Sequence, residues 1–192
     1  MPRVSDAYRQ ARRDEIVAAT LRVLRRRALN DLTMADIIEE AGLSAGSVYS
    51  HFARKDELIE LVATEVIGAR LDLLTTPDDG PVRSPSEVVR WWLAGLEADE
   101  VPFATLVQLW GEAASDPAIG AIVRRRMTDI EAAFTSAAGR WLDAQGRDPG
   151  AAASTALAML TFCQGYIVRS AVLGPQDLDA SLGGIELVPG AR

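Results

Sequence analysis

Apolar residues recur along the chain every three or four positions, and the alternation of a half-buried strand is almost absent. Residues 7–28 carry Ala11, Ile16, Ala19, Thr20, Val23 and Leu24 at helical spacing, with Arg12, Arg13, Arg22 and Arg26 largely on the other faces. Asn30 and Asp31 end this first helix. Thr33 followed by Asp36 imitates a capping box, in which the threonine oxygen takes an orphan amide of a second helix. Gly42 stops that helix, because glycine enters the left-handed region without steric cost. Ser44 then caps a third helix that runs through His51 or Phe52. A fourth starts near Lys55 or Asp56 and continues to about Leu74, with Leu58, Leu61, Val62, Val66, Ile67 and Leu71 along one side.

Residues 75–85 (TTPDDGPVRSP) form the one clear break, and they read as a surface loop rather than as an interdomain linker. Beyond it Ser86 caps a run through Leu96, Pro102 opens another through about Ala114, and Asp116-Pro117 opens a long one through about Ala144. The last long helix follows Asp148-Pro149 and ends at Gly174-Pro175. Residues 176–183 add a short ninth segment, and Val188 to Arg192 read as a frayed tail. The expected fold is all-α, a three-helix head joined by a long helix to a helical bundle. The expected domains are 1–55 and 56–192.

Composition narrows the class. The chain has 192 residues, 48% of them hydrophobic, which is enough to bury a core. Its one cysteine excludes an intramolecular disulfide and a cysteine-cluster metal site, and a reducing cytoplasm suits it. The basic N-terminus has no apolar run behind it, so no signal peptide is expected. Residues 151–173 are the most apolar, yet Gln164 and Arg169 interrupt them, and a buried helix is expected there rather than a membrane span. The net charge of −7 is unevenly spread, with ten Lys+Arg against seven Asp+Glu up to residue 55 and ten against twenty after it. A basic head on an acidic body would turn the head toward polyanions.

Helix, glycine turn and helix within about twenty residues form the helix-turn-helix pattern, whose second helix enters the major groove. Ser44 and Ser47 stand at the start of that second helix, where amides and small hydroxyls suit phosphate oxygens. Tyr49 and His51 place polar tips toward the flanking backbone, and Lys55, the chain's single lysine, reads as a free cation for a further phosphate. Taken singly, each of these three is as well explained by packing or solvation. Together, within seven residues of the motif, they are not.

The stretch AGLSAGSVYSHFARKDEL resembles the DNA-binding signature of the tetracycline-repressor (TetR) family: a glycine turn, a short helix ending in Tyr-x-His-Phe, then Lys and Leu. The likeness is dense over roughly residues 8–71; beyond residue 75 only the helix count and general layout agree. It implies a homodimeric transcriptional regulator, usually a repressor, released from its operator by a small molecule. Under this resemblance Thr33, Ser44, Ser47, Tyr49, His51 and Lys55 match phosphate-contacting positions, and Ala45, Gly46 and Ser50 match base-reading ones. All three base-reading residues are small, and none makes the bidentate pairs worth about 1–3 kcal/mol of discrimination each. Specificity would then lean on DNA shape, water and an N-terminal arm in which Arg3, Arg9, Arg12 and Arg13 enter a minor groove. A solvated helix face explains those arginines equally well. Phe52 and Leu58 are assigned to structure.

The resemblance also implies a ligand cavity in the body. By spacing, the inward candidates are Trp92, Phe103, Val107, Trp110, Met127, Ile130, Phe134, Met159, Phe162 and Tyr166, with Glu112, Gln164 and Arg169 as polar anchors. A bundle core needs such residues in any case, so this points only weakly to an apolar or aromatic effector. The eighth helix is apolar nearly all round, with Ala152, Ala156, Met159, Cys163 and Ile167 on other sides than Leu157, Leu160 and Val168. One side would meet the domain's own core and the other a second subunit, which places the two-fold interface on 151–173 and 176–183; the seventh helix is the alternative. No cofactor and no metal are expected, and no reactive constellation suggests an enzyme. Two other readings keep the DNA-binding head: a body that takes a protein partner, and a regulator that activates.

Overall fold

A computed structural model describes residues 6–75 and 82–186; Arg3, most of the 75–85 loop and the 188–192 tail lie outside them. The elements run α1 (Asp6–Leu24), a 3-10 turn (Leu29–Asp31), α2 (Met34–Ala41), α3 (Ala45–Tyr49), α4 (Lys55–Thr75), α5 (Pro85–Ala98), α6 (Phe103–Ala113), α7 (Pro117–Ala144), a second 3-10 turn (Pro149–Ala151), α8 (Ala152–Leu173) and α9 (Leu178–Glu186). The described residues are helical with no strand, an all-α fold.

Local chemistry accounts for most boundaries. Thr33 forms the full capping box: its oxygen accepts from the Asp36 amide, and the Asp36 carboxylate accepts from the Thr33 amide. Gly42 closes α2 at φ 65°, ψ 22°, and a β-carbon there would meet nothing within 4 Å, so backbone conformation alone demands glycine. The cap of α5 is Ser84, not Ser86. Pro85 takes the first helical position, where its missing amide costs nothing, and Glu87 completes a second capping box. Similarly, Asp148-Pro149 opens a 3-10 turn rather than α8 itself, with the Asp148 carboxylate accepting from the Gly150 amide. The third helix ends at Tyr49, two residues short of the expected end.

Two clusters form the core. The head cluster joins Ile16, Val23, Leu24, Leu29, Leu32, Ile37, Val48 and Phe52 with Leu58 and Ile59 of α4 and with Ile119 and Ile122 of α7. The body cluster is built on Val88, Trp92, Leu93, Ile130, Phe134, Met159, Cys163 and Ile167. Ile67 and Leu71 pack against this second cluster, so α4 is buried in the head at one end and in the body at the other. Body and head are also tied by polar contacts. Arg25 pairs with Glu100 at 2.6 Å, Arg125 pairs with Glu60, and the Gln108 side chain of α6 accepts from the Leu29 amide at 2.7 Å.

By length and composition α8 could cross a bilayer. Its residues Ala156, Met159, Cys163, Tyr166 and Ile167 instead fill the body core. A different row, Leu157, Thr161, Val168 and Val172, faces outward, with Val172 69% exposed. The short α9 packs on α5 of the same chain: Leu182 is buried and Asp179 pairs with Arg90 at 2.7 Å.

Candidate nucleic-acid interface and the adjoining cavity

The turn between α2 and α3 sets which side of α3 is exposed. Ser44 stays extended at ψ 149° and its hydroxyl accepts from the Ser47 amide at 3.2 Å, which starts the helix. Val48 and Phe52 then bury the inner side. Ala45, Gly46, Tyr49 and Ser50 are left outward, with Tyr49 51% exposed. Ser47 and His51 are half-buried, and the His51 ring lies 6.4 Å from that of Phe52. Phe52 is pinned between the head core and the Arg13 guanidinium, which sits 4.9 Å from its ring centre.

Several candidate groups already have protein partners. The Thr33 hydroxyl donates to Asp36 at 2.7 Å, and that of Ser50 donates to the Ser47 carbonyl at 2.7 Å. Lys55 is not the free cation expected: its Nζ donates to the Leu29 carbonyl at 3.0 Å. An ammonium has three donors, so the Leu29 bond leaves two for other partners. Several of the head's arginines are likewise paired within the head. Arg22 and Arg26 both bind Glu40, Arg27 lies 3.3 Å from Asp36, and Arg12 pairs with Glu15. The hydrogen bond from Arg22, then that from Arg26, holds the Glu40 carboxyl below its ordinary range. The Thr33 hydroxyl does the same for Asp36. Apart from Tyr49, the outward side of α3 is formed by small residues, Ala45, Gly46 and Ser50, and none of the four is basic.

Beneath the head lies an apolar cavity of about 110 Å³. Its walls come from both parts of the chain: Leu21, Leu24 and Leu29 from the head, Ile59, Val62, Ala63 and Ile67 from α4, and residues of α5 to α8. Of the expected lining, Trp92, Trp110, Met127, Ile130 and Gln164 are in place. Phe103, Val107, Phe134, Met159, Phe162 and Tyr166 lie elsewhere, as do Glu112 and Arg169. Phe134 is fully buried edge-on to Trp92, ring centres 5.3 Å apart, and Met159 fills the body core. Phe103 packs edge-on and Phe162 stacked against Tyr166, at 6.3 and 6.4 Å. The Tyr166 hydroxyl donates to the Gln176 carbonyl at 2.9 Å, which ties α8 to the segment after it. Val107 packs half-buried against the body core. These side chains are large because the bundle has a core to fill.

Sequence reasoning missed two contributors to the cavity, the leucines of the head and Arg126, and it missed Gln108, which holds the Leu29 amide. Arg126 had a readable signal, since it falls in the apolar stripe Ile119, Ile122, Val123, Ile130 of α7. Gln108 is the lone amide in the apolar run of α6.

The architecture is a helix-turn-helix head joined through one long helix to an all-helical bundle, with a cavity at the junction. Residues 16–62 match the family model described as "Bacterial regulatory proteins, tetR family". An HTH-type transcriptional regulator of Haemophilus influenzae is 43% identical over 61 residues, 30% of this chain and 33% of that protein. The match thus spans about a third of that relative's length. The HTH-type regulator BetI of Burkholderia thailandensis is 24% identical over 95% of this chain and 92% of its own. Among solved structures, Salmonella enterica GusR superposes with TM-score 0.72 at 19% identity, covering 95% of this chain and 98% of its own. A TetR transcription regulator from Haloarcula marismortui superposes with TM-score 0.74 at 18% identity, covering 91% and 94%. At such identities the superpositions speak for the fold. Residues 16–62 thus carry a head similar to that of the TetR-family regulators, and the whole chain has the fold of those solved structures.

Proposed function

We propose that the chain is a cytoplasmic, homodimeric transcriptional repressor that holds a near-palindromic operator and lets go when a small apolar or aromatic molecule fills the cavity. The observation that carries this reading is the cavity's position: head leucines and α4 share its wall. A molecule lodged there touches the DNA-binding unit directly. It acts only if it binds the DNA-incompetent arrangement more tightly, since equal affinity shifts nothing.

In this reading Ser44, Ser47, Tyr49, His51 and Lys55 grip phosphates, with Thr33 at the start of α2. Ala45, Gly46 and Ser50 face the bases. The division falls within α4, so that residues 1–55 and the first turns of that helix act as one DNA-binding unit. The exposed row of α8 supports dimerisation, because Leu157, Val168 and Val172 leave apolar surface in water on an otherwise packed bundle. The exposed side of α7 is more polar, with Arg124, Arg125, Thr128 and Glu131. That favours α8, and α9 contributes mainly by bracing α5.

Selection from a random pool of duplex DNA tests the head and the dimer together. The expected outcome is an inverted repeat whose half-sites lie one or more helical turns apart, each turn about 34–36 Å. Recovery of no preferred duplex would refute the reading.

A further inference from the structure

We infer that the cavity takes a small carboxylate, a single aromatic ring or short alkyl chain whose anionic end pairs with Arg126; this rests on the reading of the cavity as an effector site. The volume, about 110 Å³, is of the same order as the ~150 Å³ dry cavity that holds benzene. A ring or a short chain fits that volume. Trp92 and Trp110 supply flat apolar wall, and among the described residues the only charged lining residue is Arg126. Among the described residues no aspartate or glutamate faces the cavity. The described wall therefore carries one positive charge and no carboxylate to pair with a cationic ligand.

Arg126 is placed where an exposed arginine has no reason to be. It occupies the apolar stripe of α7, and its side chain is only 18% exposed. Its ion pair, Nη1 to the Asp129 Oδ2, spans 3.3 Å, longer than the roughly 2.7–2.9 Å of a close charge-assisted bond. Its Nε is buried with no hydrogen-bond partner. A guanidinium offers a planar fork of donors that matches the two oxygens of a carboxylate. A carboxylate meeting Nε and its neighbouring nitrogen would satisfy the orphaned donor and neutralise a largely buried charge. The neutral Thr105 and Gln164 are placed to accept or donate a further bond.

Tryptophan fluorescence and calorimetry of the full chain, without DNA, test this with benzoate and hexanoate against benzyl alcohol and hexan-1-ol. The expected result is that each acid binds at least about tenfold more tightly than its alcohol. Arg126→Gln should remove that preference while leaving alcohol binding within about twofold, and Arg126→Lys should restore part of it. Equal binding of acid and alcohol, or an acid preference that survives in a folded Arg126→Gln, overturns the role of Arg126 and leaves the cavity standing. Binding of none of the four overturns the cavity as an effector site. The operator selection described above does not depend on either outcome.

Discussion

Lys55 holds the Leu29 carbonyl at 3.0 Å and also stands beside the helix that faces DNA, so its replacement separates two roles in one experiment. The perturbation is Lys55→Met, which keeps a long apolar stem and removes every donor. The Leu29 carbonyl also accepts from the Leu32 amide at 3.2 Å, so the substitution does not orphan it. The stability cost therefore sits at the low end for a lost hydrogen bond, about 1 kcal/mol. If the two remaining Nζ donors meet a phosphate, DNA binding changes in a way that stability does not. Each lost phosphate contact lowers the slope of log affinity against log salt by about 0.9, so a dimer with two heads should lose about 1.8. Fluorescence anisotropy of a labelled operator across a salt series reads that slope, and urea denaturation reads the stability. A folded Lys55→Met variant with the wild-type slope would refute the phosphate role and leave Lys55 as a clamp on the turn after α1.

Further substitutions test the packing and the interface. Gly42→Ala should cost about 1–2 kcal/mol in urea denaturation through left-handed strain alone, because the added methyl meets nothing, and Gly42→Asn should cost less. Gly95→Ala should destabilise by about 1–3 kcal/mol although helix propensity predicts a gain of about 1. The methyl overlaps the Arg70 guanidinium and drives it from the Gly95 carbonyl and Asp99, and in an Arg70→Met background the sign should reverse. Burial pushes the Cys163 thiol up to about 12, so it should resist thiol reagents until the chain unfolds. Because the unfolded thiol ionises first, near its ordinary value of about 8.5, Cys163 makes stability fall with rising pH between that value and about 12. The slope approaches about 1.4 kcal/mol per pH unit, and Cys163→Ala should lack it in urea titrations at successive pH values. Leu157→Asp with Val172→Asp should convert a dimer into a folded monomer in light scattering, and an unchanged mass would move the interface off α8.

The head was readable in the sequence because its signals are local. The Thr33–Asp36 box, the Gly42 turn and the Ser44 cap each involve residues within a few positions, and each is formed as expected. The cap of α5 was misplaced by two residues for a local reason too: Ser84-Pro85-Ser86 offers two serines, and only the one before proline leaves the first helical position to the ring. The cavity was less readable. Spacing ranks Phe134, Met159 and Tyr166 as inward, and they are, but inward in a bundle means core far more often than cavity wall. Which inward side chains stop short of filling the space depends on how α6 sits against α1 and α4, and periodicity within one helix carries nothing about that. The partners of Lys55 and of the head arginines are separated from them by up to 75 residues, as in Arg25 with Glu100.

The Leu29 contacts give the cavity a direct mechanical route to the DNA-facing helix. Its side chain is cavity wall, its amide is held by Gln108 of the body and its carbonyl by Lys55 at the start of α4. Three anchors on one residue mean that a ligand which displaces Leu29 must also strain or break a bond from α6 and a bond to the residue flanking α3. The two polar anchors are each worth about 1 kcal/mol, comparable to the 1–3 kcal/mol of a typical coupling between sites. Head and body are thus held in one arrangement by contacts weak enough for a small ligand to exchange. Gln108, which touches neither the cavity nor the DNA-facing residues by any bond other than that to Leu29, is then where coupling can be lost while both binding events survive.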